Sequence, residues 1–212
     1  MVILLPLGIG SPQREVRWGT VDGLVIDSEG RPLPEATVTS YIDAKGATRD
    51  VTQHKADAQG RFTFSLPEGS VWLCAHKTSD EYPYPFFAFY MSPGQDFPTV
   101  TIKGGEITRG VVIRVGMKAA HLVYETVDES GRPILGRFIF VRVDQPDRPY
   151  STSALAKDDM LVPPVPFRAT FEAKGYKPWH YGDENWKTER GLISLKSGQT
   201  LNLRIQVQPS PA

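Results

Sequence analysis

The 212-residue sequence predicts an all-β protein built as two tandem antiparallel β-sandwiches. Three observations predict it. Period-2 alternation of apolar and polar residues recurs along the chain, the pattern of strands with one buried face. Gly- and Asp-containing turn signals separate these runs, and no window carries a capped amphipathic helix. A set of three segments also occurs twice in the same order.

The repeat fixes the organisation. "DSEGRPLPEATV" (27–38) matches "DESGRPILGRFI" (128–139), aligning Gly30, Arg31 and Pro32 with Gly131, Arg132 and Pro133. "LPEGSVWLCAHKT" matches "VPPVPFRATFEAKGY", each a proline turn leading into an alternating run. "IKGGEITRGVVIRV" matches "LKSGQTLNLRIQV", with Gly105 opposite Gly198. The offset falls from 101 at the first match to 93 at the last, so the second copy is the shorter one. The expected division is an apolar lead-in over 1–16, a first sandwich over 17–116 and a second, more divergent one over 117–212. At about 100 residues each, both copies fall within ordinary domain size.

The lead-in "MVILLPLGIGSPQ" has no basic n-region and no small-residue cleavage signal. It is shorter than the roughly 20 residues a membrane span needs. It reads either as the tail of a signal segment that starts upstream or as a lead-in strand. In the first copy a strand ends at Ile26, Asp27–Gly30 turn the chain, and Pro32 and Pro34 hold the return segment extended. In "RFTFSL", Phe62, Phe64 and Leu66 share one face. Val111, Ile113 and Val115 do the same near the end of the copy. In the second copy Leu201, Leu203, Ile205 and Val207 share a face, while Pro34 and Ala36 are replaced by Leu135 and Arg137.

"GLVIDSEGRPLPEATV" followed by "ADAQGRFTFSLPEGSVWL" resembles the carboxypeptidase regulatory-like domain, a transthyretin-like (Ig-like) β-sandwich. The residues that carry the resemblance are Gly30, Pro32, Leu33, Ala36, Val38, Gly60, Phe62, Pro67, Gly69 and Trp72, with Trp72 where that family more often has Tyr. The second copy resembles it through Gly131, Pro133, Ile134 and "LVPPVPFRATFEAKGYKPW". Its "AKDDMLVPP" lacks the Gly-x-Phe step, which predicts a shortened or shifted strand there. The resemblance implies a non-catalytic accessory module of secreted, periplasmic or surface proteins, so export is expected. It implies no peptidase activity.

Composition narrows the chemistry. Lys+Arg and Asp+Glu are both 24, so there is no basic excess of the kind nucleic-acid binding uses. Hydrophobic residues are 40%, enough for real cores. The one cysteine, Cys74, lies in the apolar run "SVWLCAHK" and reads as a small buried hydrophobe. Iron-dependent dioxygenases with a transthyretin-like sandwich use two Tyr and two closely spaced His. Here His54, His76, His121 and His180 are far apart and form no H-x-H or H-x-x-x-H. The related purine-pathway hydrolase ends in Tyr-Arg-Gly-Ser, whereas this chain ends "QVQPSPA". No G-x-S-x-G, H-E-x-x-H or P-loop occurs. The expectation is no catalytic residue, no metal, no cofactor, no nucleic acid and no membrane span.

Two aromatic segments remain. "EYPYPFFAFY" is almost continuously apolar and reads as core and inter-domain packing. "GYKPWHYGDENW" is more polar: Tyr176, Trp179, Tyr181 and Trp186 stand beside Asp183, Glu184 and Asn185. Its leading reading is a structural loop or domain contact; against that, flat rings next to fixed polar groups suit sugar recognition, and the oxygens suit calcium, although no EF-hand spacing supports that. The candidate ligand-binding residues are Tyr176, Trp179, Tyr181, Asp183 and Trp186. The leading functional expectation is a structural or adhesive envelope protein that contacts protein or glycan. A carbohydrate-binding module is the alternative, and a metal-dependent enzyme of this fold comes third.

Overall fold

The computed structural model describes residues 16–44, 47–85, 88–90, 95–183 and 187–211. The lead-in therefore lies outside the described residues except for Val16. The first sandwich contains β1 (Trp18–Ile26), β2 (Thr37–Ala44), β3 (Ala47–Lys55), β4 (Arg61–Pro67), β5 (Gly69–His76), β6 (Thr99–Ile102) and β7 (Ile107–Arg114). The second contains β8 (Ala120–Asp128), β9 (Gly136–Arg142), β10 (Tyr150–Ala154), β11 (Lys157–Val162), β12 (Phe167–Glu172), β13 (Trp179–His180) and β14 (Thr200–Val207).

The two sandwiches have one topology. The first pairs β4-β1-β7 in one sheet and β3-β2-β5-β6 in the other; the second pairs β11-β8-β14 and β10-β9-β12-β13. Each strand of one copy has its counterpart in the other. All pairings are antiparallel except β1 with β7 and β8 with β14. In each copy the last strand returns beside the first and runs the same way. Parallel neighbours need a long crossover, and here the intervening strands of the module supply it.

Equivalent hydrogen bonds recur in the two copies. Gly105 N donates to Trp18 O at 2.8 Å and Gly198 N to Ala119 O at 2.9 Å. Leu33 N donates to Val25 O, and Ile134 N to Thr126 O. The opening turns are also alike. Asp27 Oδ1 accepts from the amides of Glu29 and Arg31, both at 2.9 Å, and its Oδ2 accepts from Arg31 Nε at 2.8 Å. Asp128 holds Ser130 and Arg132 in the same way. Gly30 and Gly131 both have φ of +81°, where an L side chain is strained. Pro32 and Pro133 then make single bridges back to Ile26 and Val127, so each proline begins the return segment without joining a central ladder. "DAQGR" forms a third such loop: Asp57 Oδ1 accepts from Gln59 and Arg61, and Gly60 has φ of +75°.

Each copy buries its own core. The first holds Val21, Val25, Phe62, Phe64, Leu66, Leu73, Ile102, Val111 and Ile113. The second holds Leu122, Tyr124, Phe138, Phe140, Val162, Phe167, Phe171, Ile193 and Ile205. The alternation read from the sequence faces inward in β4 and β7. In β14 only Ile205 and Val207 are fully buried, while Leu201 and Leu203 cover the rim. The strand expected to be shortened or shifted, β11, is one residue shorter than β4 and holds its place beside β8 over all six residues.

Candidate functional site

The aromatic loop of the second sandwich is laced to the edge of a sheet. Trp179 pairs with Phe171 and His180 with Thr170, and Tyr181 N donates to Ala169 O at 3.0 Å. Directly opposed residues of an antiparallel pair point to the same face. Trp179 therefore follows the buried Phe171 inward, and His180 follows Thr170 outward, where Thr170 Oγ1 and His180 Nδ1 lie 2.9 Å apart. Trp179 and Tyr181 meet edge to face at 6.4 Å and pack, half-buried, against the second core. Tyr176 does the same and bridges to Pro209 through its backbone. Asp183 is exposed, with φ of +49°. Trp186, Glu184 and Asn185 lie outside the described residues. The structure thus brings Trp179 and Tyr181 together beside the sheet edge, while Tyr176 packs against the same core and Asp183 is exposed.

The other aromatic segment has a different role. It belongs to the β5–β6 connection, residues 77–98, which first covers the outer face of its own sheet. On that face Tyr41 stacks on Trp72 at 3.9 Å, and Trp72 meets Phe97 of the connection. His76 meets Tyr84 of the connection edge to face at 4.8 Å. Cys74 is buried on this side, opposite Thr39, as a small hydrophobe would be. Tyr82 enters the first core. Phe86 and Phe87 lie outside the described residues.

Phe89 then crosses to the other module. It is 2% exposed and sits within the second core. Its ring stacks with Phe140 and Tyr150, both at 5.0 Å, and meets Phe167 edge to face at 5.6 Å. The buried Arg142 guanidinium donates to Phe89 O at 3.2 Å, and its charge is answered by Asp144 at 2.6 Å. A buried charge needs such a partner. The pairing, opposing the effect of burial, holds the Asp144 carboxyl below its ordinary range. Tyr90 packs beside Tyr150, and burial pushes its phenol well above the usual value.

A second contact lies at the same junction. Glu81 caps a 3-10 turn (Thr78–Asp80) in left-handed backbone, φ +69°, and its carbonyl accepts from Ala119 N at 2.7 Å. Its carboxylate lies 3.2 Å from His121 Nε2 and 3.8 Å from Lys118 Nζ. The other imidazole nitrogen, Nδ1, lies 2.9 Å from Asp159 Oδ1. The two carboxylates sit on opposite sides of the ring. Among the described residues, no group of three or more His, Cys, Asp or Glu side chains is arranged to hold a metal ion. No helix among them is long and apolar enough to cross a membrane.

The first aromatic segment, read from the sequence as core and inter-domain packing, packs in both cores; His121 is weighed there only as a metal ligand, and Glu81, Asp159 and Arg142 are not singled out. "SDEYP", "AHLVY" and "KDDML" carry no motif, since Glu81, His121 and Asp159 meet only through tertiary structure.

No family model and no curated protein matches the chain. The carboxypeptidase regulatory-like resemblance therefore stands on the residues quoted above. Among solved structures the chain is similar to the TIE protein of Bacillus anthracis: 16% identity, 91% of this chain and 34% of that one, TM-score 0.38. It is also similar to the minor pilin of the Gram-positive pathogen Streptococcus agalactiae: 11% identity, 92% and 97% coverage, TM-score 0.40. A third is the shaft pilin of Lactobacillus rhamnosus GG: 10% identity, 93% and 99% coverage, TM-score 0.32. The chain spans about a third of the first of these. At such scores the likenesses carry no functional argument, and the sandwich fold rests on the strand pairing itself.

Proposed function

We propose that this chain is a non-enzymatic, exported accessory protein whose two sandwiches, divided near residue 116, form one stiff unit that presents surfaces to a protein partner in the cell envelope. The observation that carries this reading is the inserted Phe89. A connection from one module fills the core of the next, which suits a spacer that must hold its shape. Export rests on the family resemblance and the apolar lead-in. The test is fractionation of cells carrying the full reading frame, with protease added outside intact cells. Protection within the cytosolic fraction would contradict the reading.

Glycan binding at Tyr176, Trp179, Tyr181, Asp183 and Trp186 is a second reading. It is favoured by one observation, that Trp179 and Tyr181 stay half-exposed beside Asp183. It is tested by titrating a glycan panel while following tryptophan fluorescence. A saturable change abolished in Trp179→Ala supports it, and a flat response across the panel removes it.

A further inference from the structure

The contact between His121 and its two carboxylates has a chemical consequence. A neutral imidazole carries one N–H. It donates to one carboxylate and must turn a lone pair toward the other, whereas an imidazolium donates to both. We propose that His121 is a proton-operated clasp between the two sandwiches, closed on Glu81 when the ring is charged and released from it when the ring is neutral.

The geometry decides which contact yields. Asp159 belongs to the same sandwich as His121 and makes the shorter contact, 2.9 Å against 3.2 Å. Glu81 has an alternative cation in Lys118, so it can leave the ring without losing all compensation. Glu81 also holds a left-handed backbone that disfavours a side-chain-bearing residue, so its segment gains by relaxing. The other charged groups around the clasp are accounted for. Lys77 is paired with Asp80 at 2.8 Å, and Lys118 lies over the Tyr82 ring at 5.6 Å. Asp158 precedes Asp159 on β11, and the residue before β14 meets His121 through a backbone bond from His121 N to Gln199 O. The Ala119–Glu81 backbone bond is independent of protonation, so the junction loosens on deprotonation without coming apart. Hydrogen bonds to Asp159 and then Glu81 raise the His121 pKa above its ordinary value. A raised folded value means that the stabilisation is complete below the unfolded pKa, near 6.5, and is lost as pH rises through the folded one.

The experiment uses the whole chain. NMR follows the His121 ring from pH 5 to 9, and hydrogen exchange reads protection over residues 77–85 at pH 6 and 8, corrected for intrinsic rates. The expected result is a titration above that of an exposed histidine. Protection at pH 6 should exceed that at pH 8, because the Glu81 contact is lost as the ring gives up its proton. In Glu81→Gln, a substitution at a partly exposed site, the ring should still titrate high because of Asp159, but the pH-dependence of protection should vanish. An ordinary His121 titration overturns the proposal. So does a high titration with pH-independent protection, and so does a pH-dependence unchanged in Glu81→Gln.

Discussion

Phe89→Ala removes a ring that belongs to the first sandwich in sequence and to the second in space. The ring is 2% exposed and contacts Phe140, Tyr150 and Phe167 within 5.6 Å. Truncating a buried Phe costs about 3–5 kcal/mol, from lost transfer free energy and the cavity left behind. The backbone carbonyl of Phe89 remains available to Arg142, so that buried charge keeps its partners and adds no separate penalty. For a module whose m-value is about 2 kcal/mol/M, the urea midpoint should fall by roughly 2 M. The location of the loss is the stronger test. Peptide-resolved hydrogen exchange in moderate urea should show β9, β10 and β12 losing protection first, and β1 and β4 holding. Protection lost first in β1 and β4, or a cost under about 1 kcal/mol, would refute the placement of Phe89.

The turns make a paired prediction. An added Cβ at Gly30 meets nothing within 4 Å, so Gly30→Ala should cost only its left-handed backbone, about 1–2 kcal/mol. At Gly60 the Cβ would lie 2.9 Å from Leu33 N and 3.0 Å from Val25 O, so Gly60→Ala should cost a further 1–3 kcal/mol or so by urea titration. Hydrogen bonds from Ser130 and Arg132 hold the Asp128 carboxyl far below its ordinary value. A depressed value stabilises above the unfolded pKa, about 4, and that contribution is lost as pH falls through the folded one. Urea midpoints measured from pH 6 downward should therefore decline in the native protein and lack this component in Asp128→Asn. Cys74, 1% exposed, should react with a thiol reagent only in denaturant, and rapid labelling of the native chain would contradict its placement.

What was legible in the sequence followed from local rules. Asp, Gly and Pro at fixed spacing specify the opening turn wherever they occur, so the repeat of "DSEGRP" and "DESGRP" correctly announced two copies of one topology. Period-2 alternation placed Phe62, Phe64 and Leu66 on the inner face because neighbouring side chains of a strand must point oppositely. The parallel closure of β1 on β7 was not legible, since strand direction depends on where the chain returns and leaves no mark on side-chain periodicity. On composition the candidate loop admits two readings, a structural or domain-contact loop and a ligand platform, because Trp179 and Tyr181 stand among polar residues. Its pairing with Phe171 and Ala169 turns those rings toward the core, a consequence of register that composition does not carry. His121 was set aside for lack of sequence neighbours. Its partners lie 40 residues before it and 38 after it.

The central claim is that the two sandwiches behave as one body because the 77–98 connection is anchored in both. Calorimetric unfolding of the intact chain at pH 6 tests it most directly. One cooperative transition is predicted for the native protein, with Phe89→Ala splitting it into a lower transition from the second sandwich and a higher one from the first. Two separate transitions in the native protein, unmoved relative to each other by Phe89→Ala, would contradict it.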